Sequence, residues 1–414
     1  MSPMPSGSDH PGNRLSRGQI LTYVLILGAL TGLGPFTVDL YLPAFPEIQQ
    51  DFTVDAAVVQ LTLTGTMVGF AIGQLIVGPL SDRFGRRWPL ILATLLHIAA
   101  SIGIALSASI LLLGILRVVQ GFGAAAGGVV AMAMVRDLFT GRVLIRMFSR
   151  LALVNGLAPV IAPVLGSWLL TITSWRGIFW VLAGYGALIS LMVTLFIKET
   201  LPPERREKQQ KSLRQRYSAL FHDRVYVGTV LIAGMTFTGL FAYLSTAPFL
   251  FQQVYGFSPQ QFGTLFAINS LAIIIGVQTS SRLMDRFAIG PQWILAGTTA
   301  SQIILGMIIA LNGVLGLGMW GTAIPLWFFV LACGFAFPAQ QVMALSRHGE
   351  QAGTAASILG AMNFGLAGLL SPIIGFLGVD SSLPMAGMMV CAAVLGSVFL
   401  WGIVRPRSVP PLFD

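Results

Sequence analysis

The chain has 414 residues, 55% of them hydrophobic and only 9% charged, with a mean hydropathy of +0.81. A soluble domain carries roughly 25% charged residues, so a water-soluble globule is excluded. A net charge of +9 and a pI near 10.1 fit either a nucleic-acid binder or a membrane protein with basic cytoplasmic loops, and the placement of the charges decides between them.

At about 1.5 Å per helical residue, crossing about 30 Å of hydrocarbon takes roughly 20 apolar residues. Residues 1–18, rich in Ser, Pro and Gly, read as a disordered cytoplasmic lead. The helix that follows is long, holds an acid and lacks a small-residue cleavage site, so it is not expected to be a removable signal peptide. Six spans are predicted near Gln19–Phe45, Val54–Leu80, Trp88–Leu106, Ile110–Val135, Ile145–Leu170 and Trp175–Ile197, giving a first half over 19–197. A basic cytoplasmic linker covers 198–224. Six more spans, near Val225–Gln252, Pro259–Ser281, Pro291–Leu311, Leu317–Met343, Ala352–Leu377 and Leu383–Val404, make a second half over 225–404, with a cytoplasmic tail over 405–414.

With the N-terminus inside, all but two of the 24 Lys and Arg fall on the cytoplasmic side; Arg176 lies outside and Arg117 within a span. Glu47, Asp51, Asp55 and Asp380 punctuate the outside loops. That is the positive-inside bias, and an odd number of spans would scramble it. The expected fold is therefore an all-α polytopic membrane protein with twelve transmembrane helices and both termini cytoplasmic. The basic total then requires no nucleic acid.

A weak internal duplication divides the chain. Gly78-Pro-Leu-Ser-Asp82-Arg83-Phe84-Gly85 closes span 2 and Arg282-Leu-Met-Asp285-Arg286-Phe287-Ala288 closes span 8; Tyr41-Leu-Pro-Ala-Phe45 corresponds to Ser245-Thr-Ala-Pro-Phe249, and Phe52 to Phe257, all at offsets of 203–205. Two pseudo-symmetric six-helix halves of this kind are a transporter architecture, with a site near the midplane between them.

The loop Gly78 to Arg87 reads Gly-Pro-Leu-Ser-Asp-Arg-Phe-Gly-Arg-Arg, and span 4 carries Arg117-Val-Val-Gln120-Gly121-Phe-Gly123. Span 5 carries Gly156-Leu-Ala-Pro159-Val-Ile-Ala162-Pro163-Val-Leu-Gly166-Ser167. Over nearly its whole length the sequence resembles the major facilitator superfamily (MFS), and within it the twelve-span proton-coupled drug antiporters. Ala162 and Ser167 stand where the antiporter motif usually has Gly. Thr37-Val-Asp39-Leu-Tyr41-Leu-Pro43-Ala-Phe-Pro46 and Lys198-Glu199-Thr-Leu-Pro-Pro-Glu204 are similar to the bicyclomycin/chloramphenicol-resistance (Bcr/CflA) subfamily. The resemblance implies the MFS fold, a bacterial inner (plasma) membrane location, and a gating role for the loop with Gly78, Asp82, Arg83, Gly85 and Arg86.

Two full charges stand out within spans, Asp39 and Arg117. A charge at the membrane centre costs about 2.5–3.5 kcal/mol on insertion scales, which points to function and to a partner. Asp39 lies six residues, about 9 Å, from the expected outer edge, and Arg117 seven residues, about 10 Å, so the two are expected to face one another. Burial favours the neutral acid and a nearby cation the carboxylate, which suits Asp39 to a proton-coupling site with Arg117 tuning it or holding a carbonyl. A structural ion pair for Asp39, or a packing donor for Arg117, is the plainer alternative. Asp82 is read as capping or offsetting a neighbouring helix N-terminus. Pro159 and Pro163 each remove a backbone hydrogen bond, so with Gly156 and Gly166 they are read as a bend or hinge.

Apolar walls with few polar anchors accept bulky lipophilic molecules, whereas a sugar site needs many paired hydrogen-bonding groups. Phe241 and Tyr243 of span 7 are candidate substrate-binding residues, Tyr243 being the repeat counterpart of Asp39; Tyr41, Gln60, Asn155 and Asn269 are candidate polar anchors. The expected function is secondary active export of lipophilic or amphiphilic drugs in exchange for protons by alternating access. Its alternative is proton-coupled transport of a specific small metabolite such as an amino acid. Partners are then a small-molecule drug, protons and membrane lipid, with no nucleic acid, in a monomer. Cys333 and Cys391 sit in different spans, and His10, His97, His222 and His348 are scattered, so no metal site is expected. No cofactor is expected, no GxxxxGK loop offers ATP drive, and no acid/base or nucleophile constellation suggests an enzyme.

Overall fold

The computed structural model describes residues 16–201, 218, 220–348, 352–370 and 372–409; the lead up to residue 15, most of the linker and the end of the tail lie outside the described residues. The first half comprises α1 (Arg17–Asp39), the short α2 (Phe45–Phe52), α3 (Ala56–Phe84), α4 (Arg87–Ala105), α5 (Ile110–Leu138), α6 (Gly141–Leu169) and α7 (Trp175–Phe196). The second comprises α8 (Arg224–Phe249), α9 (Pro259–Phe287), α10 (Pro291–Leu315), α11 (Met319–Leu345), α12 (Ala352–Leu370), α13 (Pro372–Leu377) and α14 (Leu383–Phe399). Twelve stretches of these helices are long and apolar enough to cross a membrane.

Several helices overrun the expected spans at the basic end. The apolar stretch of span 2 ends at Leu80 but α3 continues to Phe84; that of span 8 ends at Ser281 but α9 continues to Phe287. Backbone hydrogen bonding does not stop where hydrocarbon does, and a 29-residue helix is about 43 Å long. Both helices stop at repeat-related residues with positive φ, Gly85 (φ 91°, ψ 167°) and Ala288 (φ 48°, ψ 33°). The first conformation is open only to Gly; the second is ordinary left-handed helix, in which Ala costs about 1–2 kcal/mol.

Within the first half α5 is the axis. A Cβ at Gly121 would collide with Thr66 O of α3, at Gly123 with Ala93 O of α4, and at Gly127 with Leu30 O of α1. Three neighbours thus approach one helix at backbone distance, and Arg117, one turn before Gly121, is left with no exposed surface. The halves meet where α3 packs on α12 and α13 and where α6 packs on α9.

The α6 glycines differ. A Cβ on Gly156 would meet only Ile274, at 3.9 Å, whereas one on Gly166 would overlap the carbonyl oxygen of Leu40, which follows Asp39. Close packing therefore belongs to Gly166. Gly166→Ala is expected to lower stability by about 1–3 kcal/mol by overpacking, while Gly156→Ala stays within about 1 kcal/mol of wild type. Thermal melts of the two purified variants check this; equal losses would contradict it.

Candidate functional site

Helix α1 ends at Asp39 for a local reason. Pro43, four residues on, has no N–H to give the Asp39 carbonyl, and a short turn over Leu42–Ala44 leads into α2. The last carbonyls of α1 therefore need partners from elsewhere. Arg117 supplies one: its Nη1 donates to Thr37 O at 3.1 Å and to Gln120 Oε1 at 2.7 Å. Its guanidinium carbon lies 3.9 Å from the centre of the Tyr41 ring and 5.6 Å from that of Phe179. A desolvated cation over an aromatic face gains about 2 kcal/mol. Nε and Nη2 of Arg117 have no hydrogen-bond partner among the described residues.

The expected meeting of Asp39 with Arg117 is thus not an ion pair. The guanidinium is turned to the backbone two residues before the acid and to Tyr41, and it braces the helix end that carries Asp39. Asp39 is 5% exposed and is an electrostatic neighbour of Tyr41 and, across the interface, of Tyr243. The direction a side chain takes is not legible from sequence.

Behind Arg117 runs a buried polar chain that the sequence reading missed. Gln120 Nε2 donates to Ser101 Oγ at 2.8 Å, Ser101 Oγ donates to His97 O at 2.7 Å, and His97 Nδ1 lies 3.3 Å from Gln120 O. The available signal was spacing: Gln120 stands three residues from Arg117, one helical turn, and faces the same side.

The candidate substrate residues separate. Tyr41 is fully buried within the first half, its hydroxyl 3.4 Å from Thr62 Oγ1. Gln60 donates across the interface to Ser245 O at 3.1 Å, so it joins the halves. Asn155 is exposed on α6. Tyr243 accepts a 3.0 Å hydrogen bond from Asn269 Nδ2 and stacks on Phe266. Phe241 joins rings that the sequence did not single out together: Phe237 packs on Phe241, Phe337 and Phe364, and Phe364 of α12 stacks on Phe70 of α3 at 5.0 Å between centroids. This aromatic layer crosses from one half to the other.

Pro163 explains one contact between halves. It offers no N–H to Pro159 O, four residues earlier, and Ser270 Oγ of α9 takes that oxygen at 3.1 Å. Toward the Phe45 end, Gln252 Nε2 donates to Pro43 O at 3.1 Å, Gln253 Nε2 to Gln49 Oε1 at 2.8 Å and Gln260 Nε2 to Ser167 O at 3.1 Å, while Phe45 packs on Phe249.

At the opposite end Arg86, 4% exposed, organises the loop after α3. It pairs with Asp82, donates from Nε to Asp137 Oδ2 at 2.9 Å and from Nη1 to Ser81 Oγ at 2.9 Å. Burial alone disfavours the Arg86 cation, but Asp137 and Asp82 outweigh it and hold its pKa above the ordinary value. Asp82 is thus held by Arg86, from the same loop. Glu199 caps the start of α4, accepting from Arg86 N at 2.9 Å and Arg87 N at 3.2 Å. Gly78 closes on Ser357 of the second half, where a Cβ would lie 3.6 Å from its Oγ; Arg83 is exposed, lying over Phe84.

Comparison with known proteins gives a consistent result. The model of the Major Facilitator Superfamily matches residues 25–372. The uncharacterized MFS-type transporter YdgK of Bacillus subtilis is 37% identical over 392 residues, covering 94% of this chain and 96% of that one. The bicyclomycin resistance protein homolog of Haemophilus influenzae is 33% identical, covering 91% and 96%. The multidrug resistance protein MdtL of Escherichia fergusonii is 26% identical, covering 95% and 97%. Among solved structures, the xylose transporter XylE of Escherichia coli in a partially occluded inward-open conformation superposes with a TM-score of 0.75 at 14% identity, covering 96% of this chain and 99% of that one; this likeness concerns the fold alone.

Proposed function

The chain belongs to the Major Facilitator Superfamily, and on that premise we propose that it exports lipophilic or amphiphilic drugs across the bacterial inner membrane in exchange for protons. The observation that carries this reading is Asp39: a carboxyl group buried in an apolar span, without an ion pair to Arg117 and an electrostatic neighbour of Tyr243 of the other half. A proton neutralises such a group cheaply, and a drug's cationic or donor group competes for the same oxygen atoms. The names of the bicyclomycin-resistance and multidrug-resistance relatives support drugs as the cargo. The aromatic layer of Phe237, Phe241 and Phe364 supports an apolar substrate surface with few anchors.

In this reading the basic end faces the cytoplasm, and the bonds from Gln252 to Pro43 O and from Gln253 to Gln49 form the outer latch that opens on release. Each net charge moved through about 100 mV supplies about 2.3 kcal/mol, enough for roughly a 40-fold gradient. The test is uptake of a fluorescent lipophilic cation into energised inverted membrane vesicles. Accumulation that collapses when a protonophore is added is expected; transport of one amino acid with no drug movement would overturn the reading.

A further inference from the structure

A groove on the membrane-facing surface of the second half lies between α9 and α11, near their Phe45-side ends, with a volume of ≈ 490 Å³. Sites for drug-sized ligands fall in the range of about 300–1,000 Å³. Ile268, Trp320, Ile324 and Phe328 form open walls, exposed by 48%, 67%, 54% and 47%. Asn269 also lines the groove, yet it is only 1% exposed. Its Nδ2 donates to Tyr243 OH at 3.0 Å and its Oδ1 has no hydrogen-bond partner among the described residues. A buried amide oxygen left bare is destabilising, a penalty that a ligand's donor removes. The same asparagine therefore touches a lateral groove on one side and, through Tyr243, the neighbourhood of Asp39 on the other.

We propose that this groove is a lateral loading site for a compact lipophilic amphiphile whose hydroxyl or amine head donates to Asn269 Oδ1 while its apolar body lies against Ile268, Ile324 and Phe328. The inference rests on the export reading, since the molecule that enters from the bilayer is the cargo handed on toward Tyr243. The apolar walls and the single acceptor fix the chemistry: one donor head on one apolar body. A two-chain phospholipid is too bulky for the volume.

The test uses the full chain in lipid vesicles with no gradient applied, so that its outcome does not depend on coupling. The probe is dodecanol bearing a photoactivatable diazirine, with adducts located by mass spectrometry. Adducts are expected to concentrate on Ile268, Ile324 and Phe328 and to be displaced by excess plain dodecanol. Asn269→Leu is expected to raise the half-displacing dodecanol concentration about fivefold, and Ile324→Trp, a change on an open surface, to abolish the cluster. Asp39→Asn is expected to leave the labelling unchanged, so a failure of the proton-coupling reading is distinguishable from a failure of this one. Adducts spread evenly over other lipid-facing residues such as Leu111 and Leu188, or displacement unaltered in Asn269→Leu, would overturn the proposal. So would a diazirine-bearing phosphatidylcholine that labels the groove and is not displaced by dodecanol.

Discussion

Asp39→Asn is expected to abolish gradient-driven export while leaving drug binding within about tenfold of wild type. The amide keeps the volume and one acceptor oxygen of the carboxyl group, so the packing at the end of α1 survives. What it loses is the ability to exchange a proton for cargo. A transporter that carries drug without moving a proton only equilibrates it, so the roughly 40-fold gradient available per charge at about 100 mV falls to none. The measurement is the steady-state accumulation ratio in proteoliposomes, taken beside the binding constant of the same preparation. Accumulation lost together with all binding would instead make Asp39 a plain substrate anchor.

The second large effect is expected at Arg117. Removing its side chain strips the donor from Thr37 O and Gln120 Oε1 and opens a void beneath Tyr41, in a site with no exposed surface. Each abandoned buried acceptor costs about 1–3 kcal/mol, and lost packing adds to it, so Arg117→Ala is expected to fold poorly. Arg117→Lys is the informative variant. It keeps the charge and one donor but cannot place a flat cation on the Tyr41 ring and bond two oxygen atoms at once. It is expected to assemble, to melt at a lower temperature, and to export at least about tenfold more slowly as the Asp39-bearing helix end loses its brace. Wild-type export by Arg117→Lys would show that charge alone is required there.

The residues differ in how legible they were. The twelve spans follow from hydropathy and charge placement because a bilayer imposes a length and a sidedness on every helix, and the division into halves was read from the repeat at offsets of 203–205. The helix ends did not follow, since α3 and α9 run past their apolar stretches to Gly85 and Ala288. Asp39 and Arg117 were singled out by the cost of charge in hydrocarbon. The geometry between them was not legible, because α1 stops at Asp39 and the guanidinium turns to the Thr37 carbonyl near that end rather than to the acid. The capping of α4 by Glu199 was not legible either: nothing local shows that the start of the linker folds back on the start of α4. Asn269 was singled out as a polar anchor, but its place between a lateral groove and Tyr243 required the packing of α9 on α11.

The proposal that Asp39 alternates between a proton and cargo is tested most directly by proton release on drug binding. Purified protein in weakly buffered detergent solution, with no gradient present, is mixed with a saturating lipophilic cation while a pH-indicator dye is followed. Wild type is predicted to release protons in proportion to drug bound, and Asp39→Asn to bind drug and release none. Equal release from both proteins, or drug binding by wild type with no release at any pH, would contradict the account.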